Sequence, residues 1–236
     1  MPLLDHLAEL RRRITIAAAA YVVAAGIAAV FYNHELSFLQ HPYCQVDPHH
    51  CGLYVTGPLD PLTLRVKLAA FGGLVLATPV ILWELWRFVT PGLRSSEKRY
   101  AVPFCVVAAA FFVLGCLTAY VTFPHTLRWL IGVGGSSLHT LLNPNAYLSL
   151  ILVLMFLFGL AFEFPVVLVA LELLGVVSPA TLLRSWRWAV LGITVCAAVL
   201  TPSSDPFSML ALLVPLVAFY FTAIGVGKLG LRIRGA

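Results

Sequence analysis

Long apolar runs separated by short arginine clusters dominate this sequence, and they leave few folds open. A helix needs about 20 apolar residues to cross a hydrocarbon core of roughly 30 Å. Four runs meet that length: 14–33, 68–86, 101–123 and 146–174. Two further apolar segments, 188–200 and 207–226, are less regular. The first of them spans only about 20 Å at a helical rise of about 1.5 Å per residue, and the second carries Pro215. Of the 236 residues, 61% are hydrophobic and 11% charged, where a soluble domain carries about a quarter charged residues. Such a chain cannot coat a water-soluble globule. An ordinary soluble enzyme, a disordered chain and a nucleic-acid-binding module are thereby excluded. The expected fold class is all-α: a polytopic membrane protein of six transmembrane helices, organised as a single transmembrane domain over 1–236. The first run is too long for the apolar region of a cleavable signal peptide and is expected to stay as a span.

The basic residues predict an orientation. Arg11, Arg12 and Arg13 precede the first span. Arg87, Arg94, Lys98 and Arg99 lie between the second and third, Arg184 and Arg187 precede the fifth, and Lys228, Arg232 and Arg234 follow the sixth. Twelve of the 15 basic residues thus fall on one side, leaving Arg65, Lys67 and Arg128 for the other. The positive-inside rule then places both termini in the cytoplasm. Merging the last two segments into one broken helix would put the basic C-terminus outside, so six spans are preferred. Thr201-Pro-Ser-Ser-Asp-Pro206 breaks the chain between the last two spans, because each proline removes a backbone donor. The pair reads as a hairpin that thins the membrane locally. The fourth run, at 146–174, exceeds the bilayer and is expected to kink at Pro165, which leaves the carbonyl of Ala161 without its helical donor. Segments 34–67 and 124–145 read as large outer loops, and no internal repeat is visible.

Chemistry-bearing residues are few. There is no GxxxxGK[ST] phosphate loop, no G-x-S-x-G and no HExxH, so neither nucleotide hydrolysis nor proteolysis has a visible seat. The chain is read as a non-enzyme with no cofactor and no dedicated metal. Glu163 stands out near the middle of the fourth run, flanked by Phe162 and Phe164. A charge at that depth costs about 2.5–3.5 kcal/mol on insertion scales. Its carboxyl either hydrogen-bonds the carbonyl freed by Pro165 or forms a polar site facing a groove. Glu84 stands three residues before Arg87, a spacing that predicts a local ion pair. Glu172 reads as a solvated carboxylate at a span end, and Trp83, Trp86, Trp129, Trp186 and Trp188 as interfacial anchors. Cys105, Cys116 and Cys196 read as packing residues. Cys44 and Cys51 lie in HPYCQVDPHHC, where three states stay open: a disulfide, a zinc site with His41, His49 or His50, or free thiols.

Several motifs occur in an order that resembles one family. His6-Leu7-Ala8-Glu9-Leu10-Arg11-Arg12-Arg13-Ile14 is similar to the amino-terminal HLxELRxR signature of TatC, the multi-span subunit of the twin-arginine protein translocase. Pro79-Val80-Ile81-Leu82-Trp83, then Phe88-Val89-Thr90-Pro91-Gly92-Leu93 and Glu97-Lys98-Arg99, resemble that family's second span and first cytoplasmic loop. Phe123-Pro124, Phe162-Glu163-Phe164-Pro165, Ser178-Pro179, Arg187 and Thr201-Pro202 with Asp205 continue the match in order. The resemblance implies six helices in a curved, concave arrangement with short fifth and sixth spans. It implies export of folded proteins whose signal peptides carry paired arginines, driven by the proton gradient. The partners it implies are those signal peptides, single-span TatA- and TatB-type subunits and the lipid bilayer, in an oligomeric complex of the plasma membrane. It places signal-peptide binding on Glu9, Arg13, Phe88, Pro91, Leu93 and Glu97, and makes Glu163 the membrane-embedded acid. The chain departs from the pattern at Met209 and Ala223, where the family usually has glutamine and glutamate, and at Asp60, where glutamate is commoner. The competing class is a secondary transporter or channel for a small solute or ion. It requires several polar groups meeting at mid-membrane, often in repeat-related halves.

Overall fold

A computed structural model describes residues 3–46, 48, 55, 57–89, 101–133, 143–173, 175–203 and 205–235. Regular structure among them is wholly helical: α1 (Leu3–Val30), α2 (Tyr32–Val46), α3 (Asp60–Val89), α4 (Ala101–Val133), α5 (Pro144–Phe162), α6 (Phe164–Leu173), α7 (Pro179–Arg184), α8 (Trp186–Leu200) and α9 (Pro206–Gly235). Five stretches are long and apolar enough to cross a membrane: Leu7–Val30, Asp60–Phe88, Val102–Val133, Pro144–Glu172 and Pro206–Leu229. The sixth span is the shorter apolar helix Trp186–Leu200.

Helix continues well past the apolar runs. The segment expected as the first outer loop instead contains α2, whose interior proline is tolerated because other helices supply its missing donors. Pro42 cannot donate to the carbonyl of Phe38. The Tyr120 hydroxyl donates to that carbonyl instead, at 2.9 Å. Tyr147 Oη donates to the Leu39 carbonyl at 2.7 Å, and Arg128 to that of Gln45 at 3.1 Å. The expected second outer loop is likewise shorter, because α4 runs through Pro124 to Val133.

The long fourth run divides two residues before Pro165. The proline cannot serve the Ala161 carbonyl, and the backbone N–H of Glu163 turns to the carbonyls of Leu160 and Ala161. Helix resumes at Phe164, with the Val167 N–H on the Glu163 carbonyl at 3.0 Å. The Glu163 side chain therefore sits at the α5–α6 joint.

α5 is the central helix, and Tyr147, Leu148, Ile151, Leu154, Phe158 and Phe162 on it are wholly buried. Glycines let its neighbour approach: a Cβ at Gly115 of α4 would lie 2.5 Å from the Phe158 carbonyl oxygen. α1 packs along α3 in the same manner, since a Cβ at Gly73 would lie 2.5 Å from Ala25 Cα. The α8–α9 turn is clamped by Asp205. Its Oδ1 accepts the Ser208 N–H at 2.7 Å and the Thr126 hydroxyl at 3.2 Å, and Ser203 reaches Oδ2. The turn is thereby tied to α4.

Candidate functional site

The start of α1 and the end of α3 meet at the end of the bundle richest in arginine. Glu9 and Arg13 are one helical turn apart and share a face of α1. Arg13 Nη2 donates to Glu9 Oε1 at 3.1 Å, and Nη1 donates to Glu84 Oε2 on α3 at 2.9 Å. The three side chains are 15%, 26% and 8% exposed for Arg13, Glu9 and Glu84, so the cluster is partly shielded from water. Ion pairs in such a setting are screened less by salt than open surface pairs.

Glu84 is the residue that sequence reasoning missed here. The ion pair with Arg87 that local spacing predicts is present, at 4.0 Å with a half-exposed Arg87 side chain, but the closer contact is with Arg13, at 2.9 Å. Phe88 lies one turn beyond Glu84, partly buried on α3. Of the residues implied by the resemblance, the fold thus sets Glu9 and Arg13 against Glu84, with Phe88 one turn further along α3. Pro91, Leu93 and Glu97 lie outside the described residues.

Glu163 lines a separate cavity of about 220 Å³ between α3, α4 and α6, together with Trp86, Phe104 and Cys105. Its Oε1 is buried and has no hydrogen-bond partner among the described residues. The Ala161 carbonyl is met by backbone and not by this carboxyl, so the first of the two sequence readings for Glu163 does not hold. Trp86 departs from the anchor expectation too: its Nε1 is buried. Trp186 and Trp188 are exposed, at 43% and 77%. Glu172, expected to be solvated, is buried to 1% exposure against Gly227 of α9, whose missing Cβ makes the room for its carboxyl. Cys105 and Cys116 are buried as expected for packing residues, whereas Cys196 is exposed. Cys44 closes α2 and is disulfide-bonded; Cys51, His49 and His50 lie outside the described residues.

Among the described residues the regular structure is all helical, and five long apolar helices with a shorter sixth define a polytopic membrane component. Comparison with known proteins narrows that class. The family model described as Sec-independent protein translocase protein (TatC) matches residues 5–215. The TatC protein of Frankia casuarinae is 39% identical over 98% of this chain and 67% of its own length. That of Aquifex aeolicus is 34% identical over 98% of this chain and 97% of its own. A crystal structure of the twin-arginine translocase receptor TatC in DDM superposes with a TM-score of 0.80 at 33% identity, covering 94% of this chain and 99% of that one. The chain belongs to the TatC family. It is a multi-span membrane subunit of a Sec-independent protein translocase, all-helical among its described residues, with five long apolar spans and a shorter sixth.

Proposed function

We propose that this chain is the receptor and core subunit of a twin-arginine translocase, binding the paired-arginine signal peptides of folded proteins and organising their export on the proton gradient. The observation that carries this reading is the Arg13 guanidinium held between Glu9 and Glu84. Two carboxylates already converge on one planar cation here, and that is the chemistry a peptide arginine requires. A guanidinium binds carboxylates through paired, parallel hydrogen bonds that the point charge of lysine cannot copy. In this reading Arg13 holds the Glu9 carboxylate at a fixed angle, and Glu97 is the second acid offered to the arginine pair. Phe88, Pro91 and Leu93 give apolar contact to the neighbouring peptide residues.

The twelve basic residues that the sequence assigns to one side support a cytoplasmic site in the plasma membrane, with both termini inside. TatA- and TatB-type single-span subunits complete an oligomeric complex. The test is the affinity of a twin-arginine peptide for the chain in nanodiscs. A charge-assisted hydrogen bond contributes about 1.5–3 kcal/mol, so Glu97→Ala is expected to weaken binding roughly tenfold to hundredfold. A twin-lysine peptide, already poorly bound, loses less. Equal loss for both peptides, or no loss for either, overturns the assignment.

A further inference from the structure

A cavity of about 480 Å³ lies under α2, between α1, α3 and α4, at the end of the bundle opposite the Glu9–Arg13–Glu84 cluster. Its walls Ile27, Phe31, Leu76, Val113 and Leu117 are each about half exposed, so it opens sideways, as a groove in the apolar surface that the spans turn to the bilayer. Leu68, Cys116 and Met155 close its floor. Three polar side-chain groups line it, and two of them are committed. The Tyr120 hydroxyl donates to the Phe38 carbonyl, and the Cys116 thiol to that of Met155. The third is the Glu35 carboxyl, which reaches from α2 into the space that Gly72 of α3 leaves open. Burial pushes it above the ordinary carboxylate range, and a neutral carboxyl is a hydrogen-bond donor.

Arg65 marks the mouth of the groove. Arg65, Leu68, Gly72 and Leu76 recur at three- and four-residue spacing and so share one face of α3. The Arg65 guanidinium lies over the Tyr32 ring, 4.8 Å from its centroid, which holds it where α1 gives way to α2. It is exposed and pairs with no acid among the described residues. From Arg65 to Leu76 the face runs roughly 16 Å at the helical rise, about half of a hydrocarbon core of roughly 30 Å. The groove is therefore one leaflet deep. A partner helix that crosses the membrane needs a groove twice as long, whereas one acyl chain needs a groove of this length. Its polarity also runs in the order that a phospholipid presents. A guanidinium, which binds phosphate through paired hydrogen bonds, stands at the mouth, a carboxyl donor lies about two turns deeper beside Gly72, and apolar walls follow.

We infer that this groove is a binding site for one membrane phospholipid, with its phosphate on Arg65, an ester carbonyl on the Glu35 carboxyl and one acyl chain lying along Gly72, Leu76 and Leu117. The lipid comes from the leaflet at the α2 end. The site stands independently of the peptide-binding proposal, which concerns the other end of the bundle.

The test uses the full chain in phosphatidylglycerol nanodiscs containing a trace of the same lipid with a diazirine in one acyl chain. Photo-adducts are mapped by peptide mass spectrometry, and lipid retention is titrated by native mass spectrometry in detergent. Adducts are expected to concentrate around Leu76 and Leu117 rather than on the exposed face of α8. Arg65→Gln is expected to weaken retention roughly tenfold or more, the loss of a charge-assisted hydrogen bond. Leu117→Trp changes a half-exposed position, fills the groove and is expected to abolish the adducts at Leu76. Glu35→Gln keeps a donor and should retain the lipid, whereas Glu35→Leu should not. Adducts spread evenly over the lipid-facing spans, or a yield at Leu76 that Leu117→Trp leaves unchanged, overturn the site. Retention that Arg65→Gln leaves unchanged overturns the phosphate contact and with it the phospholipid assignment. In native membranes a diazirine residue at Leu76 should give lipid adducts; crosslinks to another polypeptide in their place overturn the proposal by giving the groove to a protein helix.

Discussion

Glu84 and Arg87 are three residues apart, and spacing alone pairs them. The pair is there at 4.0 Å, but the fold also brings Arg13, 71 positions away, to 2.9 Å, because α1 lies against α3. No local pattern in the chain carries that contact, whereas the Glu9–Arg13 pair, one turn apart, is legible from spacing. Glu84→Ala is expected to destabilise the protein by about 1.5–3 kcal/mol, since it strips a partly buried guanidinium of its shorter bond. Under the proposed function it also lets Arg13 close over Glu9, and peptide affinity falls. Glu84→Gln keeps an acceptor and loses less of both. Thermal unfolding in detergent, paired with peptide titration, checks this; an Ala variant as stable as wild type would remove the cluster's structural role. Glu172 likewise owes its setting to a residue distant in sequence. Its place near a span end suggests solvent, but Gly227 on another helix opens a slot into which the carboxyl is buried.

At the level of elements, the apolar runs announce the spans, and hydrophobic length alone accounts for α1, α3, α4 and the α5–α6 pair. What that signal hides is helix without apolarity. α2 is polar and contains Pro42, and it forms because Tyr120, Tyr147 and Arg128 supply donors to its carbonyls from α4 and α5. The proline rule located the break in the fourth run to within two residues. Closeness of helices is also set by particular residues. A Cβ at Gly115 would meet the rigid Phe158 carbonyl at 2.5 Å, and one at Gly159 would meet the Phe112 ring at 2.8 Å. Gly115→Val is therefore expected to cost about 1–3 kcal/mol through overpacking, more than Gly159→Ala, where a side chain can yield. Comparing melting midpoints of the two variants decides it; a Gly115→Val protein as stable as wild type would mean that α4 and α5 do not cross this closely. Asp205 supplies a second check. Asp205→Ala removes a cap and the link to Thr126, and a loss of roughly 1–2 kcal/mol is expected, seen as earlier thermal unfolding. An unchanged midpoint would detach the turn from α4.

Across the whole molecule, orientation follows from charge, and the structure makes it measurable. The arginine-rich starts of α1 and α8 and the basic end of α9 are expected to face the cytoplasm together with the 90–100 segment. α2, Asp60 and the Asp205 turn belong to the opposite end. Native thiols allow a labelling experiment with few changes. Cys105 and Cys116 are buried, but Cys196 is exposed, so it is first replaced by alanine. A cysteine introduced at Ser95 should then react with a membrane-impermeant maleimide only when the cytoplasmic side is open. Cys44 and Cys51 should react only from the outside, and only after reduction, if the two form the bridge that the oxidising exterior favours. Mass spectrometry of the non-reduced protein checks the bridge separately, and two freely alkylated thiols would refute it. Labelling of Ser95→Cys and of the native pair from one and the same side would be incompatible with the single span, α3, that lies between them. That result would force α3 out of the membrane and break the six-span path at its second crossing.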